Sequence, residues 1–348
     1  MIVLPPCRVP GVMSAEVSII VPVWNGRPLV ERLLRGLRVQ THPIAKILVI
    51  DNGSTDGAPE AAEALGAEVI RMGSNTGFSR AVNRGIQESR TEWVGVMNSD
   101  VEPAPDWLER LLEAAQQPGT WFAAGKILNA TNRQQIDGTY DALCRGGCAW
   151  RVGHGRTDGP EFSAARDIWF APATATLYRA ELFRRVGLLD DMFESYLEDV
   201  EFGFRCACLN YAGRYTPAAL AYHVGSATLG RWHAQVVKRI SRNQVLLLAK
   251  YYPVRLLVRF AWPVLLSQTL WGFLALRHGA FWAFLHGKIS GLAQFSTERH
   301  GSRHLRADAG RIAGIVRETE RDINRLQRQT GFDWYWRVYF ALTAGGAD

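Results

Sequence analysis

Cysteine is scarce in this sequence: five residues among 348, an odd number in a long chain. That excludes the disulfide framework that holds small secreted domains together. Cys144 and Cys148 are spaced C-x3-C, and Cys206 and Cys208 are spaced C-x-C. Neither is the paired C-x2-C of a structural zinc site, so buried, reduced thiols are expected. Long apolar runs are missing too. The charge-free stretch Phe260 to Leu276 has 17 residues and contains Pro263, Gln268 and Gly272. It falls short of the roughly 20 residues a spanning helix needs. No charged start leads into an apolar segment, so no signal peptide is expected, and residues 1–16 read as frayed. No G-x-G-x-x-G follows the first apolar run and there is no Walker A sequence, which excludes the common dinucleotide and P-loop sites. The absence of a recognised nucleic-acid motif excludes nucleic acid as the expected partner.

What is present is a globular composition, 47% hydrophobic and 21% charged. The net charge of +7 is unevenly divided. Residues 230–348 carry 18 basic and 7 acidic side chains, whereas residues 1–229 carry 22 and 26. Six of the 12 tryptophans lie in the basic part. Two regions are therefore expected, a mildly acidic 17–229 and a basic, Trp-rich 230–348.

In the first region, Val17 to Val23 is a β-branched apolar run that reads as a buried strand. Leu29, Leu33, Leu34 and Leu37 then recur at helical spacing. Strands at Lys46–Ile50, Glu68–Arg71 and Trp93–Met97 alternate with helices at Pro59–Leu65 and Phe78–Ser89. This alternation predicts an α/β fold with a mostly parallel, doubly wound sheet. Ligands bind such sheets at the carboxyl ends of the strands. Three polar loops fall there: Trp24-Asn25-Gly26, Asp51 to Gly57, and Asn98-Ser99-Asp100. Residues 129–167, rich in Gly and Arg and without a period, read as a long loop or lid.

VSIIVPVWNG, DNGSTDG, NTGFSRAVNRG, NSD, GLLDDMFESYLEDVEFGFR and YHVGSAT follow one another between Val17 and Thr228. In this order and spacing, over about Val17 to Ser226, the chain resembles a family 2 glycosyltransferase with the GT-A fold, in the bacterial rhamnosyltransferase-like group. The resemblance implies a nucleotide-sugar half at 17–100 and an acceptor half at 101–229. It implies that the Asp51 carboxylate accepts a hydrogen bond from N3–H of uracil or thymine, which an ionised carboxylate can do. Pro22 and Trp24 line the base pocket in this reading, and Trp24 is either a stacking platform or a core residue. Asn25 belongs to the same loop. Gly77 opens a helix whose N-terminus suits an anion. Asn83 either binds the nucleotide or braces a neighbouring loop, and Arg80 is a solvated charge or a diphosphate contact. Asp56 reads as a helix cap.

Asn98-Ser99-Asp100 stands where the family has Asp-x-Asp, with Asn in place of the first acid. Asp100 and His223 are the implied ligands of a Mg²⁺ or Mn²⁺ ion shared with substrate phosphates. Asp199 is the implied base that deprotonates the acceptor hydroxyl, and Glu198 either orients it or binds the acceptor. Ala173 and Thr174 floor the acceptor site, while Glu201 and Arg205, four apart on one helix, are placed on the acceptor side and able to pair. Asp190-Asp191 reads as serving the preceding turn.

The resemblance thus implies a metal-dependent, inverting transferase. Its donor is dTDP-rhamnose or a UDP-sugar and its acceptor a glycan or lipid-linked precursor of a cell-surface glycan. Two alternatives stand beside it: a nucleotide-sugar-binding pseudoenzyme or scaffold, because Asn98 replaces an acid, and a processive synthase, which the lack of Q-x-x-R-W disfavours. Trp262, Trp271 and Trp282 among Arg255, Arg259, Arg277 and Lys288 suit an anionic membrane surface. Peripheral docking on the cytoplasmic face is the favoured reading of this region. Packing on the catalytic domain, or a homodimer interface, is the other. A last helix is expected over about 303–328, with Leu305, Ile312, Ile315, Ile323 and Leu326 on one stripe.

Overall fold

The computed structural model describes residues 15–225, 230, 232–301 and 308–343. Most of the expected frayed segment, Ser226 to Thr228 of the last motif, and Leu305 lie outside the described residues. The expected alternation opens the chain: β1 (Val17–Val23), α1 (Arg27–Arg38), β2 (Lys46–Asp51), α2 (Ala58–Ala64), β3 (Glu68–Arg71), α3 (Phe78–Glu88) and β4 (Trp93–Met97). These strands lie β4-β1-β2-β3 and all pair in parallel. Helices on both faces leave Val17, Ile19, Ile20 and Val21 buried, which is why β1 is a continuous apolar run rather than an alternating one.

The second half is mixed. It contains β5 (Val101–Pro103), α4 (Trp107–Ala115), β6 (Thr120–Asn129), β7 (Ile136–Gly138), β8 (Asp141–Leu143), β9 (Ala149–Arg151), β10 (Arg166–Ile168), β11 (Ala175–Arg179), α5 (Ala180–Val186), α6 (Glu198–Cys208) and β12 (Ala212–His223). β11 inserts antiparallel between β4 and β6, and β12 runs parallel to β6. β5 pairs antiparallel with the end of β12, setting Val101 opposite His223. That register brings His223 beside Asp100.

Residues 129–167 are not a lid. Three-residue strands and tight turns carry Ile136, Tyr140, Trp150, Val152 and Phe162 into the main core. The segment has no readable period because none of its strands is long enough to show one. Cys144, Cys148 and Cys206 are buried and Cys208 is part-buried, all unpaired.

The C-terminal region is helical: α7 (Ala234–Tyr251), α8 (Val254–Arg259), α9 (Ala261–Arg277), α10 (Phe281–Gly301), α11 (Ala309–Thr330) and α12 (Trp334–Leu342). It shares its core with the first region. Leu246, Leu247 and Tyr251 pack with Phe193, Val200 and Phe204. α7 and α10 approach closely because Gly287 and Gly291 face α7; a Cβ at Gly287 would lie 2.3 Å from the Lys238 carbonyl oxygen. α11 buries Ile312, Ile315, Ile323 and Leu326 and exposes Arg321 and Arg325. Its Thr319 Oγ1 donates to the Leu143 carbonyl at 2.7 Å. Among the described residues, no helix is long and apolar enough to cross a membrane.

Candidate active site

The loops after β1 and β2 hold each other. Asn25 Oδ1 accepts from Thr55 N at 2.9 Å, and Ser54 Oγ accepts from Asn25 N at 2.8 Å. Asp56 Oδ2 accepts from Gly26 N and Arg27 N at 2.6 and 2.9 Å, and its Oδ1 accepts from Ala58 N at 3.2 Å. It therefore caps the helices on both sides, α1 as well as the expected α2. Asp51 ends β2 buried, with Oδ1 accepting from Ser54 N at 2.9 Å. Pro22 pairs in register with Ile50, and Trp24 stands 38% exposed above these loops, not in the core. Asn52, which no motif spacing singles out, ties this loop to the next: its Oδ1 accepts from Thr76 N at 2.8 Å and its Nδ2 donates to Asn75 Oδ1 at 3.1 Å.

One donor-side expectation needs correction, and one open alternative closes. The N-terminus of α3 is covered, because Ser79 N donates to the Glu194 carbonyl at 2.9 Å and Phe78 N to Ser195 Oγ at 3.3 Å. Gly77, at φ 92°, is required by that contact rather than by an anion: a Cβ there would lie 3.1 Å from the Glu194 oxygen. Asn83 is the brace of the two roles left open. Its Nδ2 donates to the Leu189 carbonyl at 2.8 Å and to Asp191 Oδ1 at 2.9 Å, and its Oδ1 accepts from Leu189 N at 2.9 Å. Arg80 pairs with Asp191 at 3.3 Å on the surface.

Asn98, Ser99 and Asp100 turn out of β4. Asn98 N donates to the Thr174 carbonyl at 2.9 Å, while its Oδ1 is buried without a hydrogen-bond partner among the described residues. Asp100 Oδ1 lies 3.1 Å from His223 Nε2, and the Nδ1 of the same ring lies 2.9 Å from Asp137 Oδ2. Burial opposes charge on His223, but the hydrogen bonds to Asp100 and Asp137 outweigh it and raise the ring to about 9. Burial likewise raises Asp137, yet the bond from His223 and the charge of Arg151 leave its carboxyl at about 2.

Asp199 sits in the first turn of α6. Its Oδ2 accepts from Ala173 N at 3.1 Å and its Oδ1 from Val200 N at 2.8 Å. Ala173 and Thr174 are buried small residues, so the backbone of residues 173–174 links Asp199 to Asn98. Glu198 is 6% exposed, with Oε2 unpartnered among the described residues. Burial, and then the adjacent Asp199, holds its carboxyl well above the usual range. Arg151 faces this group from β9, with Asp137 at 3.6 Å and Asp141 at 3.8 Å.

The segment leading into α6 is strained. Glu194, Tyr196 and Leu197 have φ of 55°, 70° and 65°, a region side chains other than Gly rarely adopt. Asn243 of α7 holds it, donating from Nδ2 to the carbonyls of Phe193 at 2.8 Å, Tyr196 at 2.7 Å and Ser195 at 3.2 Å. Arg242 adds a bond to Glu194 Oε1 at 2.8 Å. Asp190 accepts from Met192 N at 2.9 Å and so caps the turn that follows it, not the preceding one as expected; it also pairs with Lys250.

Glu201 and Arg205 pair as the spacing predicts, at 2.8 and 2.9 Å, but not on the acceptor side. Glu201 is fully buried and also accepts from Tyr251, while Arg205 donates to the carbonyls of Val186 and Leu188 at 2.8 and 2.7 Å. Every donor direction of this guanidinium used here points into the protein, so the pair fixes α6 and does not meet a ligand.

A divalent ion fits Asp100 and His223 in donor chemistry, an oxygen and a nitrogen. Among the described residues no three His, Cys, Asp or Glu side chains form a closed metal site. That suits an ion completed by phosphate oxygens and water, and the orphaned Asn98 Oδ1 is a further oxygen nearby in the chain.

Residues 18–187 match the family described as Glycosyl transferase family 2. The chain is 28% identical over 293 residues to an N-acetylglucosaminyl-diphospho-decaprenol L-rhamnosyltransferase of Mycobacterium tuberculosis, covering 76% of this chain and 92% of that protein. In fold it resembles GalNAc-T7, solved with UDP, GalNAc and Mn²⁺, at a TM-score of 0.63 and 14% identity over 92% of this chain and 59% of that one. A mannosyltransferase of Pyrobaculum calidifontis, solved with GDP-Man and Mn²⁺, gives 0.51 and 15% over 96% and 88%. Both neighbours are glycosyltransferases with the GT-A fold. Residues 18–187 of the chain are accordingly a glycosyl transferase family 2 domain.

Proposed function

We propose that this chain is a metal-dependent, inverting, rhamnosyltransferase-like enzyme that moves a sugar from dTDP-rhamnose or a UDP-sugar to a hydroxyl of a lipid-linked glycan precursor. One observation carries the reading: Asp100 and His223, at the ends of β4 and β12, are linked to the first turn of α6 with Glu198 and Asp199 through the Asn98–Thr174 and Ala173–Asp199 bonds. Asp51 and Trp24 are the groups available to the base. Asp100 and His223 would hold Mg²⁺ or Mn²⁺, which when bound neutralises charge on a leaving diphosphate. Asp199 takes the proton of the acceptor hydroxyl as that oxygen bonds to the anomeric carbon from the face opposite the diphosphate. The carbon–oxygen bond to the diphosphate breaks, and its electron pair leaves with the nucleotide. Glu198, whose carboxyl burial and then Asp199 hold above the usual range, stands beside the base to orient it or to bind the acceptor.

The relative's acceptor is lipid-linked by its name. α8–α10 supports a matching placement on the cytoplasmic face of an anionic membrane. Val258, Trp262, Leu265, Phe273, Trp282 and Leu292 are exposed there, and Arg255, Arg259 and Arg277 stand among them. The test is Asp199→Asn assayed with dTDP-rhamnose and UDP-sugars. Transfer is expected to fall by at least about 10²-fold, while thermal stabilisation by donor and Mn²⁺ persists. Turnover near that of the parent enzyme would overturn the base assignment.

A further inference from the structure

Asp137 lies in the stretch where the sequence offers no motif, yet its carboxylate touches the ring on which the proposed metal site depends. We infer that Asp137 is the positioning residue that fixes the tautomer and aim of His223. β7 is only three residues long, but Ile136 beside Asp137 is fully buried and Gly138 pairs with Ile127 of β6. The carboxylate is thus delivered from a rigid edge, not from a loop. Its Oδ2 accepts from His223 Nδ1 at 2.9 Å. With the Nδ1 proton committed to Asp137, Nε2, which faces Asp100 Oδ1 at 3.1 Å and donates to it when no ion is bound, is the nitrogen left to exchange its proton for a metal. That is the orientation of a metal-binding imidazole, whose second nitrogen carries the proton and faces a carboxylate.

Asp137 is itself held on its other side. Arg151 Nη1 stands 3.6 Å from the same Oδ2, and His154 Nδ1 lies 2.7 Å from the Asp137 main-chain oxygen. A neutral ring released from Asp137 is free to turn, or to keep its single proton on Nε2, where Asp100 already accepts it, instead of on Nδ1. The inference rests on the metal reading above, and it adds a residue that does not itself touch the ion.

The test uses the full chain, with Mn²⁺ titrated at a fixed concentration of dTDP or UDP and the half-saturating Mn²⁺ read from thermal stabilisation. Asp137→Asn keeps the volume and the fold. It is expected to raise the half-saturating Mn²⁺ about 10-fold, and Asp137→Ala up to about 100-fold. A lower metal-free Tm with unchanged half-saturation in both variants would make Asp137 merely structural and overturn the inference, while loss of the response in His223→Ala would leave the metal reading standing. Mn²⁺ binding unaltered in His223→Ala, or absent from the parent chain, would overturn the metal reading and this inference with it.

Discussion

At Asp141 two effects oppose each other. Burial raises its carboxyl and Arg151 lowers it; Asp199 and Asp137 add to the rise, and the group is pushed up to about 7. A carboxyl raised above its ordinary 3.8 favours the fold below that value, and the benefit is lost as pH rises through 7. Asp141→Asn removes the titration, so the Tm of the variant relative to the parent is expected to climb between pH 5 and pH 8. A flat difference would mean that Arg151 keeps Asp141 ionised throughout. The positions of Asp51, Asp100, Asp199 and His223 were legible because each sits in a motif of fixed spacing. Asp137, Asp141 and Arg151 were not, since they come from strands of three residues, too short to show a period. A faint signal existed: Asp137, Thr139 and Asp141 alternate, as residues on one side of an extended chain do. Glu201 and Arg205 show the reverse failing. Their spacing revealed the pair, but spacing is the same for a buried bridge and an exposed one.

Among the elements, α7 has the largest unforeseen role. Holding Glu194, Tyr196 and Leu197 at positive φ costs on the order of 1 kcal/mol or more for each. Asn243, fully buried, offsets part of that cost through the carbonyls it bonds. Asn243→Ala is expected to lower stability by about 1–3 kcal/mol and to reduce kcat more than the KM for donor, because the segment it frees carries Glu198 and Asp199. Unchanged kcat alongside a lowered Tm would confine α7 to stability. Nothing in the sequence marked this residue, a single Asn in an amphipathic helix. One glycine of α10 and one of α11 make a paired test. Gly287→Ala drives a methyl into α7, whereas Gly314→Ala on α11 meets nothing within 4 Å. The first is expected to lower Tm and the second to raise it, by about 0.4–1 kcal/mol in stability. Equal effects would mean that α7 and α10 are less closely packed than their glycines indicate. The parallel half of the sheet was readable from its β-branched runs. The mixed half was not, because strand direction is set by connections that leave no local pattern.

For the whole molecule, the division of charge gains a shape. The basic C-terminal third shares the core and leaves apolar side chains of α8–α10 exposed among Arg255, Arg259 and Arg277. Val258→Ser with Trp282→Ser is expected to weaken binding to vesicles containing anionic lipid. It should also raise KM for a lipid-linked acceptor and leave a short water-soluble acceptor unaffected. Unchanged vesicle binding with a loss of dimer in sedimentation would make these side chains a contact between two copies of the chain. The clamp on the Glu194–Leu197 segment has a consequence for inheritance and engineering. The family domain ends at residue 187, and a chain cut after residue 229 would keep nearly every motif, yet the residue that pins the segment bearing Asp199 is residue 243. The unit that can be exchanged between relatives is therefore larger than the unit that can be aligned. A graft of the catalytic half alone would carry the chemistry without the hand that holds it in place.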